Sequence, residues 1–179
     1  MKITPVMQKY ILHWGEMGAR WGVNRTVAQI HALLFLAPDP LPAETIAEAL
    51  GVARSNVSTS LKELQSWGLI KVVHVMGDRR DHFESLKDLW DMALVIMEQR
   101  KRRELDPTLT MLRQAVLDAD SDRQTPKEVK QRMANVLEFM ETFTGWYEQM
   151  RSVPRPTLVK MMRLGAKVTK LLGKESAEK

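Results

Sequence analysis

Apolar residues recur every three or four positions along most of this chain, a spacing that is typical of helices with one buried face. The first such segment is Ile3–Trp21, where steps of four and three predict an apolar seam suited to helix pairing. Gly15 and Gly18 would let a second helix approach closely. A seam this apolar needs a cover, either the body of the chain or a second subunit. Its members are Ile3, Met7, Tyr10, Trp14, Met17 and Trp21.

A second helix is predicted from Asn24, which can cap its N-terminus, to about Ala37. His31 lies beside apolar positions of this helix, so we expect a structural histidine whose hydrogen bonds are satisfied. Three prolines then bracket a short extended link. The inward positions are Val27, Ile30, Leu33 and Leu34, and the prolines are Pro38, Pro40 and Pro42.

The pattern of residues 42–84 predicts two short helices joined by a tight turn. Gly51 stands at the turn, which requires a residue that tolerates positive φ. Each helix has one apolar face, so the two should pack on each other and on the rest of the chain. The inner positions are Ile46, Ala47 and Leu50 in the first helix and Val57, Leu61 and Leu64 in the second.

The opposite face of the second helix is polar and carries one cation. Short donors and acceptors beside a lysine suit the edges of DNA bases and backbone phosphates. The alternative is an ordinary solvated helix face. The face comprises Ser55, Thr59, Lys62 and Ser66, flanked by Asn56 and Ser58.

A β-hairpin is predicted next, with strands at Leu69–Val75 and Asp81–Glu84 and a turn around Gly77. Arg79 and Arg80 at its tip could reach phosphates or the minor groove. Either Asp78 or Asp81 is expected to hold one of these arginines in the turn. The alternative is a charged hairpin tip without a partner.

The remaining chain predicts further helices. We expect a long helix over Leu86–Leu105 and a restart at Asp106, with Asp106 as its cap and Pro107 in its first turn. A polar loop is predicted over Ala119–Gln124, and Thr125-Pro126 is expected to begin a helix with a capping box. The inward stripes are Leu89, Met92, Ala93, Ile96 and Met97, then Val129, Met133, Val136, Leu137, Met140 and Tyr147. An amphipathic helix at Leu158–Leu172 and a disordered tail complete the chain.

Composition excludes several classes of function. The chain has no cysteine, its four histidines show no metal-ligand pairing, and no nucleophile–base pair or phosphate-binding glycine loop is present. We therefore expect no enzyme, no cofactor and no metal. Neither a membrane-length apolar run nor a signal peptide is found, so we expect a cytoplasmic protein without a membrane partner. The net charge is +5.

These elements predict a mainly α protein with a small β-wing, in which a winged helix-turn-helix is joined to long dimerisation helices. The expected organisation is an N-terminal dimerisation helix (1–24), the winged helix-turn-helix (25–85), a helical dimerisation region (86–152) and a basic amphipathic helix and tail (153–179). The wide apolar stripes predict a homodimer, because a monomer of this size would struggle to cover them.

The predicted function is sequence-specific binding of double-stranded DNA by a transcriptional regulator, and we expect a repressor that acts on an inverted repeat. Two alternatives stay open. One is a non-specific architectural DNA-binding protein. The other is a protein interaction module, in which the basic C-terminal helix docks elsewhere.

Several motifs together resemble the GbsR branch of the MarR-type transcriptional regulators. The resemblance covers about Met7–Glu104 and implies a homodimer, a recognition helix at about Arg54–Trp67 and a wing at Arg79 and Arg80. With the polar face, the implied DNA-binding residues are Arg54, Ser55, Asn56, Ser58, Thr59, Lys62, Arg79 and Arg80. The motifs are Glu16-Met17-Gly18, Trp21-Gly22, Arg25-Thr26, Ala47–Leu69 and Gly77-Asp78-Arg79-Arg80-Asp81.

The branch includes repressors that respond to choline or glycine betaine, which makes a small-molecule effector a candidate partner. Trp14, Trp21 and Trp90 could contribute to an aromatic cage for a quaternary ammonium group, or they could be plain core. At Ala53 the sequence departs from the family, where serine commonly caps the recognition helix. Ser55 or Asn56 would then cap instead and start the helix later.

Overall fold

The computed structural model of the chain describes residues 3–175, with side chains as far as residue 165. The chain divides into two compact units, Met1–Lys101 and Arg102–Lys179. The described part is mainly helical with a three-stranded sheet, so the predicted fold class is confirmed. Its elements are α1 (Pro5–Arg20), α2 (Arg25–Leu36), β1 (Leu41–Pro42), α3 (Ala43–Leu50), α4 (Arg54–Ser66), β2 (Ile70–Val73), β3 (His82–Ser85), α5 (Leu89–Arg100), a π-helix (Lys101–Leu105), α6 (Asp106–Ser121), α7 (Lys127–Ser152) and α8 (Arg155–Glu175).

Helix α2 lies at the centre of the first unit and contacts α1, α3, α4 and β3. Asn24 caps it as predicted, because its Oδ1 accepts a hydrogen bond from the Thr26 amide at 2.8 Å. The predicted inward positions of this helix are all buried. Burial of so many apolar side chains supplies the hydrophobic driving force for the unit.

Helix α1 packs on α2 through Ile11, Gly15 and Gly18. A Cβ atom added at Gly15 would lie 2.6 Å from Gln29 Cγ, and one at Gly18 would collide with Ala28 Cβ. The expected close approach of a second helix is therefore confirmed. The predicted seam lies to one side of this contact: Ile3 and Trp14 pack partly on the core, whereas Tyr10 and Trp21 stay exposed.

The helix-turn-helix forms as predicted. Gly51 ends α3 with a φ of +64°, a conformation that costs glycine little. Val57, Leu61 and Leu64 of α4 are buried in the core.

The strands form an antiparallel sheet in the order β1-β3-β2. β1 was predicted only as an extended link, and it gains its partner in β3, where Leu41 lies opposite Phe83. β2 ends at Val73 rather than Val75.

Helix α5 differs from the prediction in its start and in its inner face. It begins at Leu89, because the Asp88 side chain caps it by accepting hydrogen bonds from the amides of Trp90 and Asp91. Of the predicted stripe only Met92 is buried, and Val95 packs on the core beside it. Leu89, Ala93, Ile96 and Met97 are exposed.

A π-helix, Lys101–Leu105, joins α5 to α6, where a new helix capped by Asp106 was predicted. The predicted capping by Asp106 is wrong, because α6 follows the π-helix directly and Leu105 at the cap position is helical. Pro107 is in the first turn as predicted. Proline has no N–H and its ring clashes with the carbonyl of residue i−4, so a locally widened helix just before it relieves both constraints.

In the second unit α6 and α7 form a pair of contacting helices. The predicted loop at Ala119–Gln124 is wrong for its first half, since α6 continues to Ser121 and buries Ala119. The capping box at Thr125 is also wrong, because the Thr125 hydroxyl donates to Asp122 and α7 begins after Pro126.

The predicted inner face of α7 is only partly buried. Tyr147 is buried, Met133, Leu137 and Met140 are half-buried, and Val129 and Val136 are exposed. The predicted C-terminal helix falls within α8, and the predicted disordered tail includes residues 176–179, which lie outside the described residues.

His31 is buried on α2, as predicted, but its Nε2 atom has no hydrogen-bond partner among the described residues. The expectation of satisfied hydrogen bonds is therefore wrong. Burial lowers the pKa of His31 from its ordinary value of 6.5 to about 4.

Lys87 makes a long-range polar contact in the first unit, and nothing in its neighbours along the sequence predicted it. Its ammonium group lies at the C-terminal end of α2 and donates to carbonyls that the helix leaves without partners. Burial lowers the pKa of Lys87. The acceptors are the carbonyl oxygens of Leu34 at 2.9 Å, Phe35 at 3.0 Å and Ala37 at 2.7 Å.

We expect His31 to make the protein less stable in mild acid. The unfolded chain takes up a proton near pH 6.5, and the folded protein resists it until about pH 4. The stability is therefore complete above pH 6.5 and falls as the pH falls, by about 2 kcal/mol between pH 7 and pH 5. Urea unfolding at both pH values should show that H31L loses this component, whereas H13L at the exposed His13 keeps it. Equal pH dependence in wild type and H31L would contradict the assignment.

Replacing Lys87 by methionine should lower the free energy of unfolding by about 1.5–3 kcal/mol, because carbonyls at the end of α2 lose a charged donor. The matched control is K71M on β2, where Lys71 is exposed and pairs with Glu84 at 3.4 Å. That surface pair should contribute less than about 1 kcal/mol. Chemical denaturation of both variants measures the difference, and equal effects would show that the Lys87 contacts do not stabilise the fold.

Candidate nucleic-acid interface

The outer face of α4 is exposed along its length. Val57, Leu61 and Leu64 hold the helix on the core, so the side chains about 180° away point to solvent. Every predicted DNA-contacting residue of this helix is exposed, namely Arg54, Ser55, Asn56, Ser58, Thr59 and Lys62.

The start of α4 corrects one expectation. The helix begins at Arg54, with Ala53 in the cap position and no side-chain capping bond. A later start capped by Ser55 or Asn56 is therefore wrong. These two residues lie in the first helical turn, and their side chains are on the exposed surface beside Arg54.

The wing turn is built around Asp78. Gly77 supplies a φ of +84°, and the Asp78 carboxylate accepts from the Arg80 amide at 3.0 Å and from its guanidinium at 2.5 to 3.1 Å. Hydrogen bonds from Arg80 hold the pKa of Asp78 well below its usual range. The expected aspartate–arginine pair in the turn is present, and Asp78 is the partner.

His82 completes the turn and was not singled out from the sequence. Its ring is buried, with Nδ1 3.0 Å from the Arg80 carbonyl oxygen and Nε2 3.4 Å from Asp78. Arg79 differs from Arg80, because its side chain is exposed and no ion pair of Arg79 is found among the described residues.

A groove of about 360 Å³ lies between α4, the start of α3 and the wing strands. It brings together four of the predicted residues: Arg54, Ser58, Lys62 and Arg80. Glu44 of α3 and Asp81 also line it, so the groove carries charges of both signs. The other predicted residues, Ser55, Asn56, Thr59 and Arg79, lie outside this groove.

Glu44 is a further residue at this surface that was not predicted from the sequence. Its carboxylate forms an ion pair with Arg54, the first residue of α4. The only sequence signal is an acidic residue in the first turn of α3, which is common at helix N-termini for electrostatic reasons alone.

Two of the three candidate effector residues, Trp14 and Trp21, are in contact through their rings. The Trp14 and Trp21 rings are perpendicular, with centroids 6.2 Å apart, and Tyr10 stacks on Trp14 at 5.8 Å. Arg100 of α5 donates to the Trp21 carbonyl oxygen at 2.9 Å. Trp90 is half-buried in the first turn of α5.

In the described residues no helix is both long enough and apolar enough to cross a membrane.

The chain is similar to several known transcription regulators. The HTH-type transcriptional repressor GbsR of Bacillus subtilis (strain 168) is 19% identical over 134 residues, which cover 73% of this chain and 74% of that protein. The solved structure of a transcriptional regulator superposes with a TM-score of 0.60 at 18% identity, covering 81% of this chain and 99% of that one. MepR, a transcription regulator of the Staphylococcus aureus multidrug efflux pump MepA, is more distant, with a TM-score of 0.38, 18% identity and coverage of 77% and 93%.

The family model of the MarR family matches residues 21–81, which run from the end of α1 to the start of β3. This range contains the whole helix-turn-helix and the wing turn. The resemblance inferred from the sequence is therefore confirmed: residues 21–81 of this chain are similar to the MarR family.

Proposed function

We propose that this protein is a cytoplasmic, homodimeric transcriptional repressor that binds a specific inverted repeat in double-stranded DNA. The observation that carries the proposal is the exposed polar face of α4 beside an arginine-bearing wing. A single helix fits the major groove, and the rigid packing of α4 on the core fixes the angle at which it enters.

The side chains of this surface suggest a division of roles. Ser55, Asn56 and Thr59 are short donors and acceptors that suit base edges. Lys62 and Arg79 are exposed cations that suit backbone phosphates, Arg79 at the tip of the wing. Arg54 and Arg80 are held by carboxylates, so their guanidinium groups have defined positions.

The pairing of charges weighs against a non-specific architectural binder. Such a protein depends on unpaired positive charge to neutralise phosphates. Here Glu44 and Asp78 each pair with an arginine of the interface, and Asp81 adds a further negative charge to the groove. Recognition through base edges fits this surface better than binding through bulk charge.

Dimerisation is supported by apolar rows that each unit leaves exposed. The clearest is on α7, where four large side chains recur in steps of three and four residues, the spacing of a helix-pairing stripe. They lie about 100° around the helix from the side that faces α6. The row is Val136, Phe139, Phe143 and Trp146, each about half exposed or more.

An effector site is proposed at Tyr10, Trp14 and Trp21. Two perpendicular indole faces offer the kind of surface on which a quaternary ammonium group binds. Arg100 links this cluster to α5, so a ligand there would act on the helix that follows the wing.

The DNA-binding proposal is tested by capturing genome fragments that bind the protein and mapping the bound site by footprinting. Affinity for that site is then measured by gel shift, with and without choline or betaine. K62A and R79A should each weaken binding about tenfold near 0.1 M salt and lower the salt slope by about 1, because each removes one phosphate contact. K9A on α1 is the control for a lost charge elsewhere. T59A should relax the base preference at one position. Unchanged affinity in both K62A and R79A would reject the assigned surface.

The role of the exposed apolar row on α7 in dimerisation is tested by sedimentation equilibrium. Wild type should be a dimer, and F139E should weaken the dimer by more than tenfold, because a carboxylate would be buried in an apolar contact. Q131E adds the same charge to α7 about 100° away from the row and should leave the dimer intact. A dimer of unchanged affinity in F139E would exclude this row as the interface, and a monomeric wild type would contradict dimerisation itself.

A further inference from the structure

Glu44 occupies a position that links the two parts of the candidate DNA surface. It lies in the first turn of α3, and its side chain is 32% exposed. It lines the groove together with Arg54 at the start of α4, Lys62 further along α4, and Arg80 of the wing. A carboxylate placed among three cations that face DNA requires an explanation, because it repels the phosphates that those cations attract.

The negative charge of Glu44 acts on both sides of the groove. Its Oε1 atom forms the ion pair with Arg54 Nη2. The pKa of Arg80 is raised chiefly by its hydrogen bond to Asp78 and by the charge of Asp78, and the negative charge of Glu44 adds to that effect. Asp78 acts within its own turn, whereas Glu44 acts from a different helix on both α4 and the wing.

An arginine held in this way differs from a free arginine. The side chain of Arg54 is 73% exposed, so without a partner it would sample many rotamers and could meet any nearby phosphate. A carboxylate that accepts from one guanidinium nitrogen leaves the others to donate in a fixed direction. The same pairing neutralises much of the charge that would attract DNA of any sequence.

We propose that Glu44 is a specificity-determining positioning residue, which orients Arg54 for one contact at the matching DNA site and suppresses binding to DNA of other sequence. The inference rests on the proposed DNA-binding function and adds a residue outside the recognition helix and the wing. With Glu44 in place, Arg54 makes one guanidinium contact in a fixed direction. Without it, the same guanidinium contacts any nearby phosphate.

The test compares wild type with E44Q on two duplexes of equal length, the footprinted site and an unrelated sequence, across a salt titration. In E44Q the guanidinium group of Arg54 loses its carboxylate partner and can neutralise a phosphate. Affinity for the unrelated duplex should therefore rise about five- to tenfold near 0.1 M salt, with a salt slope steeper by about 0.9. Affinity for the specific site should not rise, because Arg54 loses its orientation. The ratio of specific to non-specific affinity should fall at least about fivefold.

Two further variants separate position from charge. E44D keeps the charge but withdraws the carboxylate by one methylene group, so it should keep weak binding to the unrelated duplex and lose affinity for the specific site. In an R54Q background the E44Q substitution should have a much smaller effect, because Arg54 is absent and only the effect of the Glu44 charge on Arg80 remains.

The control is E48Q, which removes the same charge one turn later on α3 from an exposed residue that does not line the groove. E48Q should leave both affinities within about twofold of wild type. Thermal unfolding of each variant checks that the fold is intact.

Three results would overturn the role of Glu44. Equal increases in affinity for both duplexes would show that Glu44 only lowers the positive charge of the surface. A loss on both duplexes with a lower melting temperature would show a role in folding, and unchanged affinities would show no role at all. If wild type has no preference between the duplexes, the proposed function fails, while binding of E44Q to the unrelated duplex still decides whether Glu44 restrains contact with phosphates.

Discussion

The burial of α2 is the constraint on which the winged helix-turn-helix depends. This helix contacts α1, α3, α4 and β3, and its inward residues are almost completely buried. Each neighbouring element keeps its place because it covers part of the same apolar surface. Lys87 adds a polar restraint at the end of α2, where it joins the helix to the segment between the wing and α5. The angle of α4 and the position of the wing follow from this packing.

On that scaffold the candidate interface is shaped by paired charges rather than by an excess of positive charge. Asp78 fixes Arg80 within the wing, and Glu44 fixes Arg54 at the start of α4. The net charge of +5 therefore gives little guide to the function of this surface. Each pairing lowers the free positive charge of this surface and gives a guanidinium group a defined direction, and the proposed discrimination between DNA sequences rests on these two effects.

The helix-turn-helix could be predicted because its signals are local. The apolar spacing of α4 and the glycine between the helices each depend on neighbours a few residues away, and both were confirmed. The predictions that failed at Ala53 and at Asp106 assumed that a side chain must cap each helix. At Ala53 the helix begins without a cap, and at Asp106 a π-helix continues into α6. In α5 the periodicity was right but the buried side was not, because a stripe around a helix does not specify which neighbour covers it.

By itself the sequence determined the order of the α-helices, the helix-turn-helix with its wing, and the exposed face of α4 that carries Ser55, Thr59 and Lys62. Each of these follows from patterns among residues that are close along the chain. Only the tertiary structure decided that Glu44 pairs with Arg54, that Lys87 caps α2 and that Nε2 of His31 has no partner among the described residues. The two contacts join residues that lie in different segments of the chain. Their partners are chosen by how the elements pack, which periodicity along a single helix does not encode.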